Sequence, residues 1–125
     1  MNDATLLLRQ IHPGFVQNGR LSSQAFRPTP KDEQTLSVYD GDRISPADAW
    51  EHYMNILGLM SRGVMAVSLS ECSTLELPVM PDPKPFPEHA LIDFSANSKS
   101  ETEKKAKLLK VRAEVRGWLY QAVMS

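Results

Sequence analysis

Pro78-Val79-Met80-Pro81-Asp82-Pro83-Lys84-Pro85-Phe86-Pro87-Glu88-His89-Ala90-Leu91-Ile92-Asp93-Phe94 is the stretch from which the rest of this chain is read. Five of its first ten residues are proline. Each proline holds φ at about −65° and removes a backbone donor, so residues 78–87 can form neither a helix nor a central strand. A stiff extended strap remains. It runs into His89 to Phe94, whose apolar and polar residues suit a core strand, and so delivers a histidine with the carboxylates of Glu88 and Asp93 to a fixed place.

Working outward, Gly63 to Leu69 is an apolar run expected as a buried strand, and Thr74 to Val79 alternates as a half-exposed one. Leu36 to Tyr39 is a short strand stopped by the turn signal Asp40-Gly41-Asp42. Thr5 to Ile11 is open to strand or helix, because Leu6, Leu8 and Ile11 do not settle its period, and it is read as a strand. Two helices are signalled. Ser45-Pro46-Ala47-Asp48 combines a capping serine with proline at the first helical position, and Trp50, Tyr53, Met54 and Leu57 follow at helical spacing up to a stop at Gly58 or Gly63. Ser100-Glu101-Thr102-Glu103 reads as a capping box opening a second helix that buries Leu108, Val111, Val115, Trp118, Leu119 and Ala122, with Gly117 a weak point inside it. The element order predicts an α+β fold: one domain over residues 1–125, with a small mixed or antiparallel sheet covered on one face by the two helices. Trp50 and Trp118 are expected to pack between those helices and the sheet.

The chain has 125 residues, 42% of them hydrophobic and 23% charged, which matches a globular domain despite nine prolines. No segment approaches the roughly 20 apolar residues of a membrane span, and no basic region precedes Leu6-Leu7-Leu8, so neither a membrane segment nor a secretory signal is expected. A lone Cys72 and three scattered histidines argue against a disulfide and against a zinc site, and a reducing cytoplasm fits best. The net charge of −1 offers no global field for a polyanion, yet residues 99–116 carry seven cations against three acids. Part of that excess is a solvated face, because Glu101 with Lys105 and Glu103 with Lys107 are favourable i, i+4 pairs.

Residues 12–33 are polar and irregular, with Phe15, Val16, Leu21, Ala25 and Phe26 as apolar anchors, and a loop of that length is uncommon unless it is functional. His12, held extended by Pro13, stands with Arg9, Arg20, Ser22, Ser23 and Arg27 in a donor-rich cluster suited to a phosphate or carboxylate, or simply to solvent. Arg27 to Glu33 alternates proline with polar residues as a second stiff surface strap. Glu88-His89 is the sharpest polar pair: a histidine at a strand mouth can serve as acid or base, or can bond a backbone carbonyl. Asp40, next to Tyr39, is a candidate for orienting a histidine, although Asp40-Gly41-Asp42 lacks the further acids of a calcium loop. Cys72 has no cation within four residues to activate it and reads as a small buried apolar side chain. No glycine-rich phosphate loop and no nucleophile elbow is present.

The strings Arg9-Gln10-Ile11-His12-Pro13, Ser22-Ser23-Gln24-Ala25-Phe26-Arg27-Pro28, Leu36-Ser37-Val38-Tyr39-Asp40-Gly41-Asp42 and Pro85-Phe86-Pro87-Glu88-His89-Ala90 resemble a group of small stand-alone bacterial hypothetical proteins. The resemblance spans most of the chain and implies no activity and no functional residue. From the residues, the expectation is a small cytoplasmic accessory or regulatory binding protein. Its site would combine the 12–33 loop with the Glu88-His89 edge and take a protein or a small anionic ligand. Arg9, Arg20, Ser22, Ser23, Arg27, Tyr39, Asp40 and Glu88 are its candidate binding residues. The alternative is a small enzyme acting on a phosphorylated or nucleotide-like substrate with His89 or His12 as acid/base. A nucleic-acid binder using the basic C-terminal helix is a third reading, weakened by the modest charge excess. No cofactor, metal or membrane partner is expected.

Overall fold

The structure, a computed structural model, describes residues 1–28 and 34–122. Gly63–Ser68, the most apolar stretch of the chain, forms strand β5 and is buried at every position. Val64 and Ala66 point to one face and Met65 and Val67 to the other, as the period of two requires. Around it lie β1 (Leu6–Gln10), β4 (Thr35–Asp40), β6 (Val79–Pro81), β7 (His89–Asp93) and β8 (Tyr120–Gln121), in the antiparallel order β6-β7-β4-β1-β5-β8. A small separate hairpin joins β2 (Val16–Gln17) to β3 (Arg20–Leu21). The α+β class and the antiparallel sheet are as expected. Pro81 sits on an edge strand, where its missing donor does no harm.

Three helices are described: α1 (Pro46–Glu51), continued by a π turn over His52–Ile56, α2 (Leu69–Thr74) and α3 (Lys99–Arg116). One sheet face carries α3 and α2, with Leu7, Val38, Met65, Val67, Ile92, Cys72 and Leu109 in its core. The opposite face carries α1, with Leu8, Tyr39, Ala49, Val64 and Ala66. A two-helix cover on one face therefore exists, but α2 supplies its second member and α1 lies across the sheet. Trp118 accordingly packs on the α3 side, while Trp50 stacks on Tyr120 on the other.

Local chemistry explains the remaining differences. The Ser68 hydroxyl caps Glu71 and the Glu71 carboxylate returns to the Ser68 N–H, so residues 69–74 turn helical and the next strand starts only at Val79. Glu101 likewise boxes with Ser98, two residues earlier than expected. Gly117, at φ 84°, ends α3. Residues 118–122 leave the helix, and Tyr120 and Gln121 extend the sheet beside β5. Gly63 permits this: a Cβ there would come within 2.3 Å of the Tyr120 carbonyl oxygen.

The buried stripe of α3 is Ala106, Leu109 and Ala113, whereas Leu108, Val111 and Val115 are 43, 50 and 83% exposed. Two alanines on the inner face let the helix axis approach the sheet, a geometry that the larger side chains would forbid. The 12–28 stretch is not a bare loop either. Two short 3-10 turns, Pro13–Phe15 and Ser23–Phe26, flank the hairpin, and Leu21, Ala25 and Phe26 enter the core under α3. Of the second proline strap, residues 29–33 lie outside the described residues.

Candidate functional site

The β4–β7 register sets Tyr39 opposite His89, and the β1–β4 register sets Leu8 opposite Tyr39. Ser37, Tyr39, His89 and Gln10 therefore share the face on which α1 packs. β1 pairs with β5 along its whole length but with β4 only at Leu7 and Leu8. The strands part beyond that point, and Arg9 spans the gap: its Nη1 donates to the Ser37 carbonyl at 2.9 Å and its Nε to the Ala25 carbonyl at 2.7 Å.

Over this opening stand two walls. Residues 82–88 close the β6–β7 hairpin, pinned to the end of β4 by the Asp40 N–H donating to the Glu88 carbonyl and to the turn after it by Arg43 donating to the Pro87 carbonyl. Phe86 drops from it among Tyr39, His52 and His89, with ring centroids 4.6–5.1 Å away. The other wall is the π turn. Its extra residue lets consecutive side chains face the sheet, His52 meeting the Tyr39 hydroxyl at 2.7 Å and Tyr53 packing beside it. Between the walls is a cavity of about 500 Å³ lined by Arg9, Gln10, Ser37, Tyr39, Tyr53, Leu57, Leu59, Phe86 and His89 among others. Its size suits a small organic molecule.

Polar groups in the cavity are few and fixed. His89 is 7% exposed; its Nδ1 lies 2.9 Å from the Asp82 carbonyl and 3.4 Å from the Asp82 carboxylate, and its Nε2 lies 3.1 Å from Ser37 Oγ. Gln10 Nε2 donates to the Ala49 carbonyl, while its buried Oε1 has no partner among the described residues. Burial, then Tyr53 and Glu88, pushes the Tyr39 phenol well above its ordinary pKa, so it keeps its proton and can donate to His52. Leu57 and Leu59 form an apolar rim, continued by exposed Ile56 and Met60.

The residues expected to form one site are thus divided. His89, Tyr39 and Arg9 line the cavity, whereas Arg20, Ser22 and Ser23 line a different groove of about 430 Å³ with Gln17, Lys107 and Lys110. The reason is the sheet itself: the hairpin and the Ser23–Phe26 turn pack on the α3 face, away from His89. His12 caps its own 3-10 turn by accepting from the Gly14 N–H, and among the described residues Arg27 reaches toward Ser23; neither lines the His89 cavity. Asp40 orients no histidine but accepts from the Asp42 N–H within its turn. Glu88 reaches the site through its carbonyl, which holds the strap. Burial, then the neighbouring Glu71, pushes the Cys72 thiol up to about 12, which keeps it an inert core side chain. Among the described residues no group of three His, Cys, Asp or Glu is placed to hold a metal ion, and no helix is long and apolar enough to cross a membrane.

Ser37, Asp82, Gln10 and His52 were not singled out from the sequence. Ser37 had a usable signal, since it shares a strand face with Tyr39; the others depend on how the strap and the π turn fold over. Comparison with protein-family models, curated proteins and solved structures returns no match to this chain.

Proposed function

We propose that this is a small cytoplasmic accessory binding protein that takes a small organic ligand in the cavity between the 82–88 strap and the π turn. The observation that carries this reading is a roughly 500 Å³ concavity with Tyr39, Tyr53, Phe86, Leu57 and Leu59 around a floor of fixed polar groups. Aromatic and aliphatic walls favour a flat or acyl body, and the exposed Ser37 hydroxyl offers a hydrogen bond to one polar end. The lone buried Cys72 is compatible with a reducing compartment. Titration with the fluorescent apolar anion anilinonaphthalene sulfonate should saturate at one site per chain. Leu59→Glu, at an exposed rim position, should weaken it by about tenfold without altering thermal unfolding, because a charge replaces apolar contact area. Absence of saturable binding by the folded wild type would reject the reading.

A second reading is favoured by the groove on the α3 side, where Arg20, Lys107 and Lys110 converge with Ser22 and Ser23. Lys110 is held by Glu114 at 3.0 Å, but no ion pair occupies Arg20 or Lys107 among the described residues. Pyrophosphate should then bind and be released by added salt, with Arg20→Ala/Lys107→Ala about tenfold weaker. Binding unchanged in that double variant would remove this reading.

A further inference from the structure

We infer that Ser37 is a nucleophile activated by His89 and Asp82, and that the cavity cleaves carboxylic esters of small molecules with an apolar body. This rests on the cavity being a ligand site. The hydrogen-bond inventory assigns the proton positions. A main-chain carbonyl only accepts, so Nδ1 of His89, 2.9 Å from the Asp82 carbonyl, carries a hydrogen. In the neutral ring Nε2 is then the acceptor, and Ser37, with Oγ at 3.1 Å, donates to it. This is the arrangement needed to remove a serine proton.

Three features go beyond an ordinary serine–histidine neighbour pair on a sheet. The Asp82 carboxylate stands 3.4 Å from the same Nδ1, placed to stabilise the imidazolium that forms when Nε2 takes a proton. The position of Asp82 is itself fixed, because its N–H donates to the His89 carbonyl at 2.9 Å. Ser37 is exposed while His89 is buried with Phe86 edge-on at 5.1 Å, so the hydroxyl meets the cavity and the base is shielded. Arg9 fixes the main chain at the serine, its Nη1 donating to the Ser37 carbonyl at 2.9 Å, so the strand that carries the hydroxyl is held in place.

The reaction balances with water alone. Ser37 Oγ bonds to the ester carbonyl carbon as its proton passes to His89 Nε2. The carbon–oxygen bond to the alcohol then breaks, and His89 returns the proton to the departing oxygen. Water attacks the acyl-serine as His89 takes a proton from it; the acyl–Oγ bond then breaks, His89 gives that proton to Ser37 Oγ, and the carboxylic acid leaves.

An alkyl fluorophosphonate should label the wild-type protein once per chain, and peptide mass mapping should place the adduct on Ser37. p-Nitrophenyl butyrate should be hydrolysed, and both activities should be lost in Ser37→Ala at an unchanged urea midpoint, because Ser37 is exposed. Asp82→Ala should slow acylation by about tenfold or more, since it removes the imidazolium's counter-charge, and Asp82→Glu should restore part of that rate. A wild-type protein that binds the dye but is neither labelled nor hydrolytic overturns the nucleophile and leaves the binding reading standing. Absence of both overturns both. Labelling mapped to another residue, or surviving in Ser37→Ala, also overturns the assignment, and because the map is made on wild type it does not depend on the variant folding.

Discussion

Replacing Phe26 with alanine is expected to lower the unfolding free energy by about 3–5 kcal/mol, among the larger losses available to a single substitution. Phe26 is fully buried, yet it belongs to a four-residue 3-10 turn in what reads as a polar loop. The Ser22 hydroxyl caps that turn, and the hairpin before it contributes Leu21 to the same cluster. The helix stripe of Ala106, Leu109 and Ala113 joins that cluster, so truncation leaves a cavity between the turn, α3 and the sheet that small alanine side chains cannot fill. Since a domain of this size is stable by only about 5–15 kcal/mol, the variant should unfold at markedly lower urea, with α3 losing its packing at the same time. A loss below about 1 kcal/mol would mean that the 12–28 excursion is not part of the core.

The second large effect concerns Arg116. Its Nη1 donates to Glu71 Oε1 at 2.9 Å and to the Ala66 carbonyl at 2.9 Å, and its Nη2 to Glu71 Oε2 at 3.2 Å. One side chain thereby ties the end of α3 to the start of α2 and to β5. Arg116→Ala should cost about 2 kcal/mol, more than a surface pair because both partners are largely covered and a carbonyl loses its donor. Burial alone would raise the Glu71 carboxyl, but the hydrogen bonds from Arg116, with those from Ser68 and the guanidinium charge, outweigh it and hold the pKa below its ordinary value. A carboxyl depressed on folding stabilises the fold above its unfolded pKa, and that stabilisation disappears as pH falls through the folded value. The gap between wild type and Arg116→Ala in urea midpoint should therefore be widest near neutral pH and shrink below about pH 4. A gap independent of pH would show that the carboxylate pairing contributes nothing.

Much of the architecture was legible because it is written in local chemistry. The strands Leu6–Gln10, Thr35–Asp40, Gly63–Ser68 and His89–Asp93 follow from apolar runs and turn signals, and α1 from Ser45 and Pro46. Errors arose where two local signals competed. Thr74 to Val79 alternates like a strand, but the Ser68–Glu71 box had already begun a helix upstream. On α3, a stripe of Leu and Val promised a buried face, and the helix instead turned its alanines inward, because the sheet and the Phe26 turn accept a close backbone and not a bulky side chain.

The proline strap, the capping residues and the apolar strands are consequences of φ restriction, missing donors and side-chain period, and these act within a few residues of chain. The site is of another kind. Ser37 and His89 become neighbours through the diagonal of a strand register, Asp82 returns to His89 through a hairpin, and Arg9 reaches Ser37 because β1 and β4 part after two pairs. Which sheet face each helix takes then separates Arg20, Ser22 and Ser23 from His89. Those relations depend on long-range pairing and on how large and small side chains share the two faces of one sheet, and no window of neighbouring residues contains them.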